Sequence, residues 1–296
     1  MNSNTLPEAL VTDALTLAAH GQAERLAWGS IALSVTDLPR AVSFWTHTLG
    51  LLARDIPGGV ALGTESMTLV TLHPGARRSV ERRATGLYHV AIGVPTQVEF
   101  SRLMARLMAL RVQASPVDHT MSKAIYLNDP DGHGIEIAFE TPERFGRFAE
   151  NLPGFGIYDA NGRLRSGRDP LDIRAELEHA RSADLTAPLA DGSIVAHLHL
   201  QVSAIEPSLS WFEKLGFARN LQLPQMGFAD MGAGAAYTHR LALNIWAGRN
   251  APSAAADSAR LLSYTLMSHA EPQSLVDPTG ARVMVEPFTD CRMEHV

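Results

Sequence analysis

The feature that most constrains this fold is an internal repeat. Residues 31–51, IALSVTDLPRAVSFWTHTLGL, and residues 198–217, LHLQVSAIEPSLSWFEKLGF, carry the same signals in the same order. Each opens on the alternation of a half-buried strand, passes a turn, and continues as an apolar stripe at helical spacing that ends at Leu-Gly. The stripes carry matching aromatic pairs, Phe44-Trp45 and Trp211-Phe212. A second match sits later in each half, where AIYLNDPDGHGIEIAF (124–139) parallels SLVDPTGARVMVEPF (274–288). Both read strand, Asp-Pro-x-Gly turn, strand, because Pro presets φ at the second turn position and Gly supplies φ > 0. Between these marks lie GLYHVAIGV (86–94), a helix-period stretch over 96–111, and LLSYTLMS (261–268). The chain therefore reads as four units, 26–76, 84–141, 192–250 and 259–289, each a strand, a helix and a short antiparallel sheet.

Two units per half make two similar domains, 26–141 and 192–290. Residues 1–25 read as a helical N-terminal arm. The stretch 142–191, rich in Gly and Pro, reads as a long connection with one helix around 171–182, and NAPSAAADS (250–258) as a flexible loop. With 46% hydrophobic and 19% charged residues among 296, the chain is an ordinary soluble globular protein. Its formal charge of −6 argues against nucleic acid or an anionic membrane as partner. The lone Cys291 excludes an internal disulfide and a cysteine metal cluster, and a cytoplasmic location is the expectation. The N-terminal stretch has no basic n-region, and Asp13 interrupts its apolar run, so it reads as neither signal peptide nor membrane span. Twelve histidines remain as the unusual item.

The motifs xxHVAIGV, LNDPDGHGIEI and HLHLQV…FEKLGF resemble the vicinal oxygen chelate superfamily, of which glyoxalases and extradiol dioxygenases are members. Over residues 26–289 the layout resembles its four-module catechol 2,3-dioxygenase-type enzymes. The resemblance implies an α+β fold of four βαβββ modules forming two domains with cupped mixed or antiparallel sheets.

In that superfamily, metal ligands stand on the first and last strands of a unit. The first-strand positions here are Ser30, His89, His197 and Ser263; the last-strand positions are Glu136, Asn244 and Met284, and unit one, MTLVTLHP, has no carboxylate. Only units two and three together complete a set: His89, Glu136 and His197, the two-histidine, one-carboxylate triad of non-haem iron(II) sites. This predicts that unit two packs against unit three, leaving units one and four as a support without metal. Taken singly, each ligand has a plainer reading, a hydrogen-bonded strand histidine or an exposed glutamate.

The resemblance further implies His239 as acid-base catalyst, Tyr126 as hydrogen-bond partner of the substrate oxygen, and His119 as a second group at substrate. Tyr126 also reads as a core aromatic and His119 as a loop anchor. His199 shares a strand face with His197 and suits a supporting role. His133, in the DPDGHG turn, reads as structural because such positions tolerate left-handed backbone. Trp246 and the run Gly232–Ala236 would shape an aromatic pocket, although Trp is more often core. The implied activity is an iron(II)-dependent extradiol cleavage of a catechol- or hydroquinone-like ring by O2, with manganese(II) as the other candidate metal and a homo-oligomer as the expected assembly. The competing readings are a glyoxalase- or thiol-transferase-like enzyme, which would want a fourth acidic ligand where Asn244 stands, and a metal-free aromatic-binding protein.

Overall fold

A computed structural model describes residue 14 and residues 24–149 and 155–288. The arm expected over 1–25 lies outside these residues, apart from Ala14, which is helical and buried, and Glu24 and Arg25.

Unit one runs β1 (Leu26–Val35), α1 (Leu38–Leu49), β2 (Leu52–Ile56), β3 (Gly59–Gly63) and β4 (Thr68–Pro74). The start of α1 is set by Asp37, whose carboxylate accepts the Arg40 N–H at 3.0 Å, and its end by Gly50 at φ 83°. Unit two repeats the order as β5 (Gly86–Gly93), α2 (Gln97–Ala109), β6 (Ser115–Asp118), β7 (Ser122–Asn128) and β8 (Gly134–Glu140). The connection holds more than the expected helix. Short strands β9 (Phe145–Phe148), β10 (Ile157–Asp159) and β11 (Leu164–Arg165) form a small sheet, and β12 (Asp169–Pro170) pairs with β6. The helix itself, α3 (Ile173–His179), is fastened to unit two through Glu176, which is buried and accepts from Lys123, from Ser101 Oγ at 3.1 Å and from Gln97 Nε2 at 3.2 Å.

Unit three is β13 (Ile194–Gln201), α4 (Ile205–Glu213), β14 (Ala218–Leu223), β15 (Phe228–Gly232) and β16 (Leu241–Asn244). Unit four departs from expectation. It contains β17 (Leu261–Ser268), β18 (Gln273–Val276) and β19 (Arg282–Pro287) with no helix between them. The linking residues, His269 to Pro272, are too few and too polar to carry a helical stripe. The 250–258 segment is also not a free loop: Arg77 N–H donates to Asp257 O at 2.7 Å, Thr85 N–H to Pro252 O at 2.8 Å, and Ala259 N–H to Arg78 O at 2.7 Å.

The two Asp-Pro-x-Gly turns are built alike. Asp129 Oδ1 accepts from the N–H groups of Asp131 and His133 at 3.0 and 2.8 Å, and Asp277 Oδ1 from those of Thr279 and Ala281 at 2.8 and 3.0 Å. Gly132 and Gly280 supply the positive φ, 92° and 89°. His133 is structural, as expected, but for another reason. It is not among the positive-φ residues, and its Nε2 donates to Ser34 O at 3.0 Å, tying unit two's turn to the end of β1.

Strands β18-β19-β17-β1-β4-β3-β2 form one sheet, and β12-β6-β7-β8-β5-β13-β16-β15-β14 the other. Units one and four meet through the antiparallel pair β1–β17, and units two and three through β5–β13. The expected partnering of units is what the strand ladders show. The main core lies against both sheets, with Trp45, Phe100, Phe212 and Tyr264 among its largest fully buried side chains.

Candidate metal centre

The centre of the nine-stranded sheet is where β5 and β13 meet, flanked by β8 and β16. Two irregularities interrupt the β5–β13 ladder. Ile92 faces Val195 while Ala91 faces His197, which leaves Ala196 as an extra residue. His89 faces His199 while Leu87 faces Leu200, which leaves Tyr88 as another. Such bulges re-aim side chains locally. Close approach does the rest. A Cβ on Gly134 would fall 2.1 Å from the Tyr88 carbonyl oxygen, so only glycine lets β8 run this close to β5. Two residues on, Glu136 is brought beside Ala91 of β5 and opposite Tyr126 of β7.

As a result His89, Glu136 and His197 converge. The two Nε2 atoms are 3.2 Å apart, and Glu136 Oε2 is 3.0 Å from His89 Nε2 and 3.1 Å from His197 Nε2. All three side chains are buried. The donor set fits a divalent ion. Atoms spaced 3.0–3.2 Å, each about 2.1 Å from an ion, would subtend roughly 90–100° there, one face of an octahedron rather than the tetrahedral ~109°. The protonation states agree. Burial drives His197 down to about 3, against the pull of Glu136, so its imidazole is neutral. Burial works to raise Glu136, but His197 and His89 outweigh it and hold the carboxyl well below the usual range, so it is ionised. The neutral His197 imidazole and the ionised Glu136 carboxylate are ready to ligate without releasing a proton. No fourth His, Cys, Asp or Glu joins this group among the described residues. His197 Nδ1 is buried without a partner, so the ring is oriented by packing between His239 and His89, at centroid distances of 4.7 and 5.3 Å.

Of the other groups named from the sequence, His239, His119, Tyr126 and His199 surround this triad. His239 Nδ1 donates to Asp230 Oδ2 at 2.5 Å. Burial opposes its charge, but Asp230 prevails and raises its pKa above the ordinary value. His119 Nδ1 donates to Gly167 O at 2.6 Å, which leaves Nε2 to accept the Tyr126 hydroxyl at 2.8 Å. Burial lowers the pKa of His119 and, with help from Glu136, raises that of the Tyr126 phenol, so both are neutral. His199, kept neutral by burial and by the neighbouring imidazoles, accepts from Asn244 Nδ2 at 2.8 Å, so Asn244 serves His199 and takes no place beside the triad. Trp246 is 47% exposed, not core; its ring lies edge-on to Tyr88 at 5.1 Å and stacked on Phe228 at 6.3 Å, forming an aromatic rim.

The family model described as the Glyoxalase/Bleomycin resistance protein/Dioxygenase superfamily matches residues 28–137. Beyond that segment, a catechol-2,3-dioxygenase of Bacillus subtilis (strain 168) is 32% identical over 254 residues, 84% of this chain and 85% of that protein. The chain belongs to the glyoxalase/dioxygenase (vicinal oxygen chelate) superfamily. Solved structures share the fold at low identity. A Bacillus subtilis protein with a provisional dioxygenase name is 13% identical with a TM-score of 0.54, covering 90% of this chain and 87% of that one. Glyoxalase I from Zea mays is 17% identical with a TM-score of 0.50, covering 91% and 95%. Among the described residues no helix is long and apolar enough to cross a membrane.

Superfamily motifs locate the three candidate ligands but not the residues that support the groups around them. Asp230 was not singled out from the sequence, although FADMG places one acid in an otherwise apolar strand, at a position buried in the structure. It is the residue that fixes His239, and it is fixed in turn by Asn220 Nδ2 and the Leu221 N–H, at 2.9 and 2.7 Å. The carbonyl of Gly167, in the connection between units two and three and 48 residues from His119, sets the tautomer of His119.

Proposed function

We propose that this superfamily member is an extradiol ring-cleaving dioxygenase that holds iron(II), or manganese(II) in its place, on His89, Glu136 and His197, and opens a catechol- or hydroquinone-like ring with O2. The observation that carries this reading is the buried facial arrangement of three donors with an aspartate-held histidine against it. The 32% identical relative named catechol-2,3-dioxygenase supports it. When bound, the ion supplies a Lewis-acidic, redox-capable centre with open positions at which a diol and dioxygen meet.

The chain's own groups manage the protons and the fit of the ring. With Nδ1–H committed to Asp230, His239 presents Nε2 as the titrating atom. That nitrogen takes a proton from a diol hydroxyl and returns it as the ring opens. Asp230 favours the imidazolium that forms in between, as a buried carboxylate behind a catalytic histidine does. Tyr126 gives its proton to His119 Nε2, so its oxygen is left as an acceptor that orients the substrate hydroxyl. The Tyr88, Phe228 and Trp246 rings form an apolar rim that suits a flat aromatic ligand. A glyoxalase-like reaction wants a further acidic ligand, and Asn244 is turned to His199 instead.

The test is isotopic. With 18O2 and a catechol, the ring-opened semialdehyde acid carries two labelled oxygens in this mechanism. The aldehyde oxygen exchanges with water, so a ring-opened product whose carboxylate carries no label, or no product from any catechol or hydroquinone tried, refutes it.

A further inference from the structure

Beside Tyr126 lies a cation that the mechanism leaves unused. Arg168 Cζ is 6.0 Å from the Tyr126 ring centroid, and its charge acts on both Tyr126 and His119. The side chain is exposed and makes no ion pair or side-chain hydrogen bond among the described residues. Its neighbours behave differently. Arg144 is committed to Asp118 at 2.7 Å, Arg165 to Asp159 at 3.2 Å, and Arg240 to Glu24 and Glu140. Asp169, next in sequence, accepts the Ser166 hydroxyl at 2.8 Å.

The backbone that presents Arg168 is held firmly. Gly167 sits at φ 71°, where an added Cβ would lie 2.6 Å from Phe155 Cε1, and its carbonyl accepts the His119 Nδ1 proton. On the other side the Arg168 N–H donates to Ser166 Oγ at 3.0 Å, and Asp169 enters the sheet opposite Asp118. An unpaired guanidinium on an anchored stretch of backbone, set against the tyrosine of the proposed site, has the properties of an anion recogniser.

We propose that Arg168 is a specificity residue that selects diphenols bearing a carboxylate on the ring or on a short side chain, and that it pairs with that carboxylate while the hydroxyls face His89, Glu136 and His197. This rests on the ring-cleavage reading for its reaction but on Arg168 alone for its selectivity.

The test compares 3,4-dihydroxybenzoate with uncharged 4-methylcatechol on the wild-type holoenzyme, Arg168→Gln and Arg168→Lys. Loss of one charge-assisted bond raises KM for the acid by about 10- to 100-fold in Arg168→Gln, leaves KM for 4-methylcatechol within about twofold, and is partly restored by Arg168→Lys. Equal changes for the two compounds, or none for either, overturn the proposal. Calorimetric binding of both compounds without oxygen, on the protein as isolated, separates the two claims. If no diphenol is turned over, the ring-cleavage reading falls, and a selective loss of affinity for the acid in Arg168→Gln still upholds the selectivity, whereas equal affinities overturn it.

Discussion

Replacing Arg240 with methionine isolates the ion cluster that joins units two and three. The guanidinium, 10% exposed, donates Nε to Glu24, Nη1 to Glu140, and Nη2 to Glu140 Oε2 at 3.2 Å, and its Cζ lies 5.0 Å from the Tyr237 ring centroid. Methionine fills much of the same volume and removes only the charge and the donors. It leaves Glu24 and Glu140, with side chains 10% and 24% exposed, facing each other without a counter-ion. Breaking a buried pair by removing one partner costs about 3–5 kcal/mol. At roughly 2 °C per kcal/mol for a chain of this size, the thermal midpoint falls by roughly 6–10 °C.

The pH dependence carries a sign. Burial already holds Glu24 above its ordinary pKa despite the pull of Arg240. Without the cation Glu24 lies higher still in the folded state than in the unfolded one, so the folded state binds more protons over that interval and stability falls as pH rises through it. Urea unfolding should therefore show the full deficit at pH 8 and a smaller one at pH 5. A deficit under about 1 kcal/mol, or an equal deficit at both pH values, refutes the claim that this cluster is a desolvated charge network.

Gly134→Ala should fold less stably and lose metal, since its Cβ meets a backbone carbonyl at 2.1 Å and pushes β8 from β5; unchanged metal content would contradict this account of how Glu136 is placed. Asp230→Asn should lower kcat far more than it changes KM, with metal content unaltered, because it disturbs only the orientation and charge of His239. Metal at 100 times its dissociation constant should stabilise the wild type by about 2.7 kcal/mol in anaerobic thermal unfolding and leave Glu136→Gln unmoved; an equal shift in both would place the ion elsewhere.

What was legible in the sequence was written in local chemistry. The Asp-Pro-x-Gly turns close as their residues demand, Asp37 and Gly50 bound α1, and the ligand positions of units two and three foretold that β5 would lie against β13. What was illegible depends on residues meeting across the fold. The bulges at Ala196 and Tyr88 leave no sequence mark, because a ladder's register belongs to two strands at once. The hold of Asp230 on His239, and of the Gly167 carbonyl on His119, joins segments that only the folded sheet brings together. The absent helix of unit four was readable, since HAEP between its first two strands offers no apolar stripe, and the repeat pattern masked it.

The most direct test of the central claim is anaerobic loading with iron(II), followed by measurement of iron per chain and of oxygen consumed on addition of a diphenol. The proposed function predicts one iron per chain in the wild type, none retained by His89→Ala, Glu136→Gln or His197→Ala, and one O2 consumed per diphenol opened. Iron retained equally by these variants, or a loaded wild type that consumes no oxygen with any diphenol, would contradict it.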